Sequence, residues 1–424
     1  WNFYYGFVNT ANNMISGVNA DNATDTQLGY LGAGYAFRAM LYLDMARCFE
    51  FLPNDKTSAT NSYGHDVTGL TVPIIKAGMS QDSARVNPRV DHKTMAAFIL
   101  GDLDNAEKYI VHLTNTNGKT LPDLACVYGL KARLYMWNED YANAEKYARL
   151  AINESHLSPM TETQALNTKT GFNVVDPWMW GAQQTSENES VQTGIVNWTS
   201  FVSDETTFGY CGLGTGTFNE IDKNMYDRIS NNDWRKLWFQ APEGSALYGK
   251  NLYVTAANAS QYPAYASLKF RPGEGYGDSP ETGAATAYPI MRVEEMYFIE
   301  AEAAAHQDAN RGKQLVESFM KSYRNPNYTC KATSQADIVE EIVFQKRVEL
   351  FGEGQTFFDI KRLNYSVTRG YADTNWRDVQ RFNTNGRPAW MNYCIVQTEG
   401  NNNKAVTEYN NPDPSDTYTP WTGK

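Results

Sequence analysis

The chain has 424 residues, 42% of them hydrophobic, and a net charge of −11 from 37 Lys and Arg against 48 Asp and Glu. That length suits one large domain or two to three ordinary ones with ample material for a core. The acidic balance argues against nucleic acid, whose phosphates need a basic surface, and no stretch approaches the roughly 18 apolar residues of a membrane span.

In chain order, residues 28–50 read as the first long amphipathic helix, with Leu31, Tyr35, Leu41, Met45 and Phe49 at apolar positions. Residues 92–113 read as another, carrying Met95, Phe98, Ile99, Leu103 and Ala106. The stretch 123–153 is a helix pair broken at Asn138-Glu139-Asp140. Its Ala132, Tyr135, Ala144 and Ala151 match the small and aromatic positions of a tetratricopeptide repeat, where alanines let paired helices approach closely. Residues 155–285 show little helical periodicity beyond 219–229. Within them, Val174–Gln183 reads as a strand that puts Trp178 and Trp180 on one face. Gly- and Asn-rich runs follow at Gly209–Thr217, Ala256–Ala266 and Pro272–Ala287, and long loops on a compact scaffold are where binding usually occurs. Helices return at 292–306, 311–323 and 335–352, and the tail from Arg369 is polar and loop-rich.

Chemistry is harder to find. Cys48, Cys126, Cys211, Cys330 and Cys394 are scattered, with no Cys/His ligand spacing, so no structural zinc site and no other cofactor is expected. The histidines His65, His92, His112, His156 and His306 form no cluster. A glycosidase needs two carboxylates across a sugar bond. Asp176, Glu187, Glu189, Asp204 and Glu205 are available, but a chain with 48 acids supplies that many by chance. No nucleophile elbow, zinc-protease motif or phosphate loop is present, so no catalytic residue is assigned. Ten Trp, 27 Tyr and 19 Phe exceed the needs of a helical core, and many stand in polar loops, which points to a binding surface.

Ile338–Leu363 identifies the chain more closely. Glu349-Leu350, Glu353-Gly354 and Phe358-Asp359-Ile360-Lys361-Arg362 follow an apolar helical stripe, with Gly354 offering the φ > 0 position that ends helices. This resembles the C-terminal signature of the SusD/RagB family, although Gln345-Lys346 stands where that family usually has Glu-Arg and Thr356 where it has Arg. Tyr288–Ala303 resembles its Pro-x-x-Arg-x-x-Glu helix, Gly34–Arg47 its first long helix, and Trp1–Asn12 the helix before that. The resemblance implies a mainly α, tetratricopeptide-like scaffold in a single domain over 1–424: helices in 1–153 and 288–363, a loop-rich ligand-binding insert in 154–287 and an irregular tail in 364–424.

It also implies a function. The protein would be a non-enzymatic receptor capturing oligo- or polysaccharide for a SusC-like TonB-dependent transporter. It would sit on the outer face of the cell outer membrane, through a lipid anchor and export signal ahead of Trp1. Ligand aromatics in the family come from the loop after the first long helix and from the irregular middle. That singles out Tyr63, with Asn61 and Asp66 as hydroxyl partners, Trp198, with Asn197, and Tyr276 among its glycines. Alternatives are a RagB-type receptor for peptide or another nutrient and an endo-acting glycosidase.

Overall fold

The computed structural model describes residues 1–423 and is mainly helical, with a single two-stranded sheet among those residues. Two compact units are present. The first comprises Trp1–Thr116, Pro122–Glu154 and the chain from Gly354 onward; the second comprises Asn117–Leu121 and Ser155–Glu353.

In the first unit, the helices are α1 (Asn2–Ser16), α2 (Asp25–Phe49), α3 (His92–Ile110), α4 (Leu124–Trp137) and α5 (Tyr141–Ser155, its last residue falling to the second unit). Three of the helix starts have a local cause. Thr24 and Gln27 form a reciprocal capping box at the start of α2, and Asp91 and Asp123 accept the orphan N–H groups of α3 and α4. The helix pair expected over 123–153 breaks where it should. Helix α2 is buried on most of its circumference. At Gly29 and Gly32, an added Cβ would come within 2.7 and 2.4 Å of the backbone at Leu113 and Ile110, so only glycine allows the end of α3 so close. Arg38 then locks three helices together. Its guanidinium donates to both oxygens of Asp102 on α3, at 2.8 and 2.7 Å, and to Asn12 on α1 at 2.7 Å.

In the second unit, α6 (Val293–Gln307), α7 (Ala309–Tyr323) and α8 (Gln335–Glu349) pack against one another, and β1 (Trp180–Gln183) and β2 (Ala287–Met291) pair antiparallel with a bulge at Trp180/Gly181. The strand expected over Val174–Gln183 is therefore only its last four residues. Val174–Trp178 instead forms local turns, with Trp178 N–H donating to the Val175 carbonyl, and Pro177 has no N–H to give a ladder. Trp178 and Trp180 are both fully buried, and Trp178 shares a core with Phe172, Trp238, Phe239 and Phe270.

Charge fills the centre of this unit. Arg324 donates to both oxygens of Glu349 at 2.7 and 2.9 Å, while Arg292 and Arg235 each reach the same carboxylate at 3.1 Å. Arg292 also pairs with Glu294 and Glu353, Arg235 with Asp233, and Lys269 with Glu353. Gln345 is part of this network, not a gap in it, because its side-chain oxygen accepts from Arg235 at 2.5 Å. Burial alone would raise the Glu349 carboxyl, but the three guanidiniums outweigh it and hold that group well below the usual carboxylate range.

Gly354 does not end α8. That helix stops at Glu349, and Gly354, at φ +85°, stands immediately before α9 (Gln355–Arg362), which belongs to the first unit. There, Lys361 donates to the carbonyls of Arg47, Cys48 and Glu50, satisfying the C-terminus of α2, and burial pushes its amine down to about 7 despite the pull of Glu50. Arg47 lies 3.6 Å over the ring of Phe358.

Removing one partner of a buried ion cluster strands the others. Glu349→Gln should cost about 3–5 kcal/mol of folding free energy in urea titrations. A loss below about 1 kcal/mol would show that the cluster is not an organising element.

Candidate functional site

The loops of the second unit assemble the most conspicuous exposed aromatic surface of that unit. Asn197 caps the single turn Trp198–Val202 by accepting the Ser200 N–H at 2.9 Å. The Ser200 carbonyl then accepts Tyr210 N–H at 2.8 Å, and Gly209 lies so close that a Cβ would meet Ser200 O at 2.6 Å. These contacts bring Phe201 and Tyr210 together. Their rings stack with centroids 4.8 Å apart and planes 18° from parallel, 53% and 48% exposed, and Ile195 and Val196 are exposed on the same loop. An exposed aromatic pair of this kind has no packing role to explain it.

Beneath it the loop is braced. Asp204 is fully buried and accepts the backbone N–H groups of Asn219 and Ser267, each at 3.1 Å. Glu205 accepts from Arg271 at 3.2 Å; Arg271 also donates to the Thr168 carbonyl and lies 4.3 Å over the Tyr253 ring. The Gly277 carbonyl accepts Thr207 N–H at 2.7 Å, which ties the 272–277 turn to the same support. Burial pushes the carboxyls of Asp204 and Glu205 up to about 7, against the hydrogen bonds to Asp204 and the charge of Arg271. These two acids face different partners, Asp204 the backbone and Glu205 the Arg271 guanidinium.

The expected ligand residues fall into two groups. Asn197, Trp198 and Tyr276 belong to the second unit. Trp198 is half-buried, against Phe270 (centroids 5.7 Å) and Tyr288 (5.3 Å), and its indole Nε1 is buried without a hydrogen-bond partner among the described residues. Tyr276 is 53% exposed. Asn61, Tyr63 and Asp66 share one turn of the first unit. The Asn61 amide donates to the carbonyls of Glu408 and Asn410 and accepts from Tyr63 and His65 N–H, so its hydrogen-bonding capacity shapes the turn. Asp66 accepts from Thr68 N–H at 2.9 Å, which lowers its carboxyl. Tyr63 is 58% exposed, and nearby the His65 ring stacks on Tyr409 at 4.2 Å. Sequence reasoning passed over Phe201 and Tyr210. Tyr210 stands between Gly209 and Gly212, the same signal that singled out Tyr276.

A model of the SusD family matches residues 181–420, more than half of the chain. The chain is a member of the SusD family. Its fold is that of solved SusD-like proteins. A SusD-like carbohydrate binding protein from Bacteroides vulgatus is 22% identical, with a TM-score of 0.70 over 98% of this chain and 84% of that one. A SusD superfamily protein from Bacteroides thetaiotaomicron is 19% identical, also at 0.70, over 97% and 85%. A laminarin binding SusD-like protein is 16% identical, at 0.58, over 86% and 77%. No curated protein sequence matches. The aromatic loops of the second unit lie inside the segment matched by the SusD model, whereas the Tyr63 turn precedes it. Among the described residues, no helix is long and apolar enough to cross a membrane.

Asp204 and Glu205 hold protons in the folded loop where free carboxyls have lost them. Their contribution to loop stability is full below about pH 4 and declines as the pH rises to about 7. Hydrogen-exchange protection factors for residues 203–217, corrected for intrinsic rate, should fall between pH 5 and pH 8, and less so in Glu205→Gln. Protection constant over that range would show that these carboxyls titrate elsewhere.

Proposed function

We propose that this SusD-family protein is a non-enzymatic surface receptor that captures oligo- or polysaccharide. The observation that carries the reading is the exposed Phe201–Tyr210 stack on a loop fixed by buried polar contacts. A sugar ring offers an apolar C–H face and a rim of hydroxyls; an aromatic ring covers the face, and nearby polar groups satisfy the rim. Each stacked ring contributes on the order of 1 kcal/mol beyond area burial, judged by aromatic pairs. A few such rings give roughly millimolar to micromolar recognition, which suits a receptor that holds a polymer near a transporter and releases it.

On this reading, Tyr276 and Tyr63 are further sugar-contacting rings on their own units, with Asp66 as a hydroxyl acceptor. Trp198 and Asn197 support the platform from within, and Asn61 orders the Tyr63 turn. The solved relatives described as carbohydrate and laminarin binding support the ligand class. Delivery to a SusC-like TonB-dependent transporter, and a lipid-anchored place on the outer membrane, complete the proposal by family resemblance.

Affinity electrophoresis through gels containing laminarin and other plant, fungal and host polysaccharides tests it. Retardation by one class without release of products is expected, and a Phe201→Ala/Tyr210→Ala double variant should bind roughly tenfold to thirtyfold more weakly while staying folded. Retardation by none would move the weight to a peptide receptor; release of reducing ends would make the protein a glycosidase.

A further inference from the structure

The first unit also holds a pocket whose lining has no part in the loop platform or the Tyr63 turn. Its volume of about 490 Å³ is within the size range of small-molecule sites. One wall is aromatic. The Trp1 and Tyr5 rings lie 4.8 Å apart at 52°, and the edge of Phe49 braces Trp1 at 5.1 Å. Their polar ends are already fixed, Trp1 Nε1 donating to Glu399 at 2.9 Å and the Tyr5 hydroxyl to the Pro73 carbonyl at 2.7 Å. Both rings are therefore held as surfaces and not as donors.

The remaining lining supplies hydrogen bonds that the protein does not use. Glu399 spends one oxygen on Trp1 and keeps the other. The side chains of Asn2, Gln81 and Arg85 line the same pocket and make no hydrogen bond or ion pair among the described residues. The Arg85 backbone is nevertheless fixed, because its carbonyl accepts the Lys404 N–H at 2.9 Å. One cation, one anion and two amides beside an aromatic wall define a net-neutral ligand with both donors and acceptors on a ring with an apolar face. The charges of Arg85 and Glu399 cancel, so a ligand of no net charge meets no uncompensated field in the pocket.

We infer that this pocket binds a single neutral pyranose unit, up to disaccharide size, independently of the loop platform. The test is saturation-transfer NMR on the purified chain with the methyl glycosides of glucose, galactose, mannose and xylose, and with cellobiose and laminaribiose. At least one probe should receive saturation at millimolar concentration. Arg85→Ala and Gln81→Ala, both at exposed positions that folding does not need, should each reduce that signal at least about fivefold while leaving polysaccharide retardation in gels unchanged. No saturation transfer to any probe, or signals unaltered in both variants, would overturn the assignment. Loss of polysaccharide retardation together with the small-sugar signal would also overturn it, because the pocket would then be no separate site. If gels show no polysaccharide binding while the pocket still binds a probe in an Arg85-dependent way, the pocket stands and the receptor reading falls.

Discussion

The second unit depends on one arrangement of charge. Four cationic side chains, Arg235, Lys269, Arg292 and Arg324, meet four carboxylates, Asp233, Glu294, Glu349 and Glu353, in a region where the cationic side chains and Glu349 have no exposure. Isolated burial of any of these would be prohibitive. The group is tolerable only because it is neutral as a whole and because nearly every polar atom is bonded. Such clusters are not strong stabilisers against a well-packed apolar alternative. Their effect is to demand one register: α8 must present Glu349 to residues arriving from α6, α7 and the 233–238 turn at once. Lys269 carries that demand outward, since Phe270 and Arg271 follow it directly and lie against Trp198 and Glu205 of the platform loop.

Much of the scaffold was readable because helices announce themselves locally. Apolar spacing located α2, α3, α4, α5, α6, α7 and α8 to within a few residues, and the caps at Thr24, Asp91 and Asp123 account for the starts. The signature at 338–363 was legible as a pattern, and charged residues set this close to apolar ones implied partly buried ion pairs that lock a helix against its neighbours, as Glu349 and Glu353 do. Its glutamates serve a buried ion cluster and its Lys361 caps α2, two roles that no spacing rule distinguishes. Gly354 was misassigned for a related reason. A φ > 0 glycine marks a boundary, and the sequence does not say whether the boundary closes one helix or opens the next.

The loops were less legible, and the cause is physical. Trp198 and Phe201 occupy the same turn in equally polar surroundings, yet one packs inward and the other stays in water. Phe270 and Tyr288 decide the difference, lying some 70 and 90 positions along the chain. Asn61 and Asn197 illustrate the same limit. An asparagine in a loop is equally suited to a sugar hydroxyl and to a backbone cap, and in both places the backbone has taken it.

That use of polar groups bears on how such a surface can bind. A loop that had to order itself around a ligand would lose much of its contact energy to entropy, and weak sugar stacking leaves little to lose. Here the ordering is built in. Asp204 is held in a site that disfavours its charge so that two backbone N–H groups are satisfied, Arg271 joins three segments, and Gly209 and Gly277 let backbones touch. The strain is electrostatic and sits beneath the rings; the rings themselves carry no polar obligation. If it binds polymer as proposed, a platform of this kind would exchange one stretch for the next without reorganising, a property that capture needs more than high affinity.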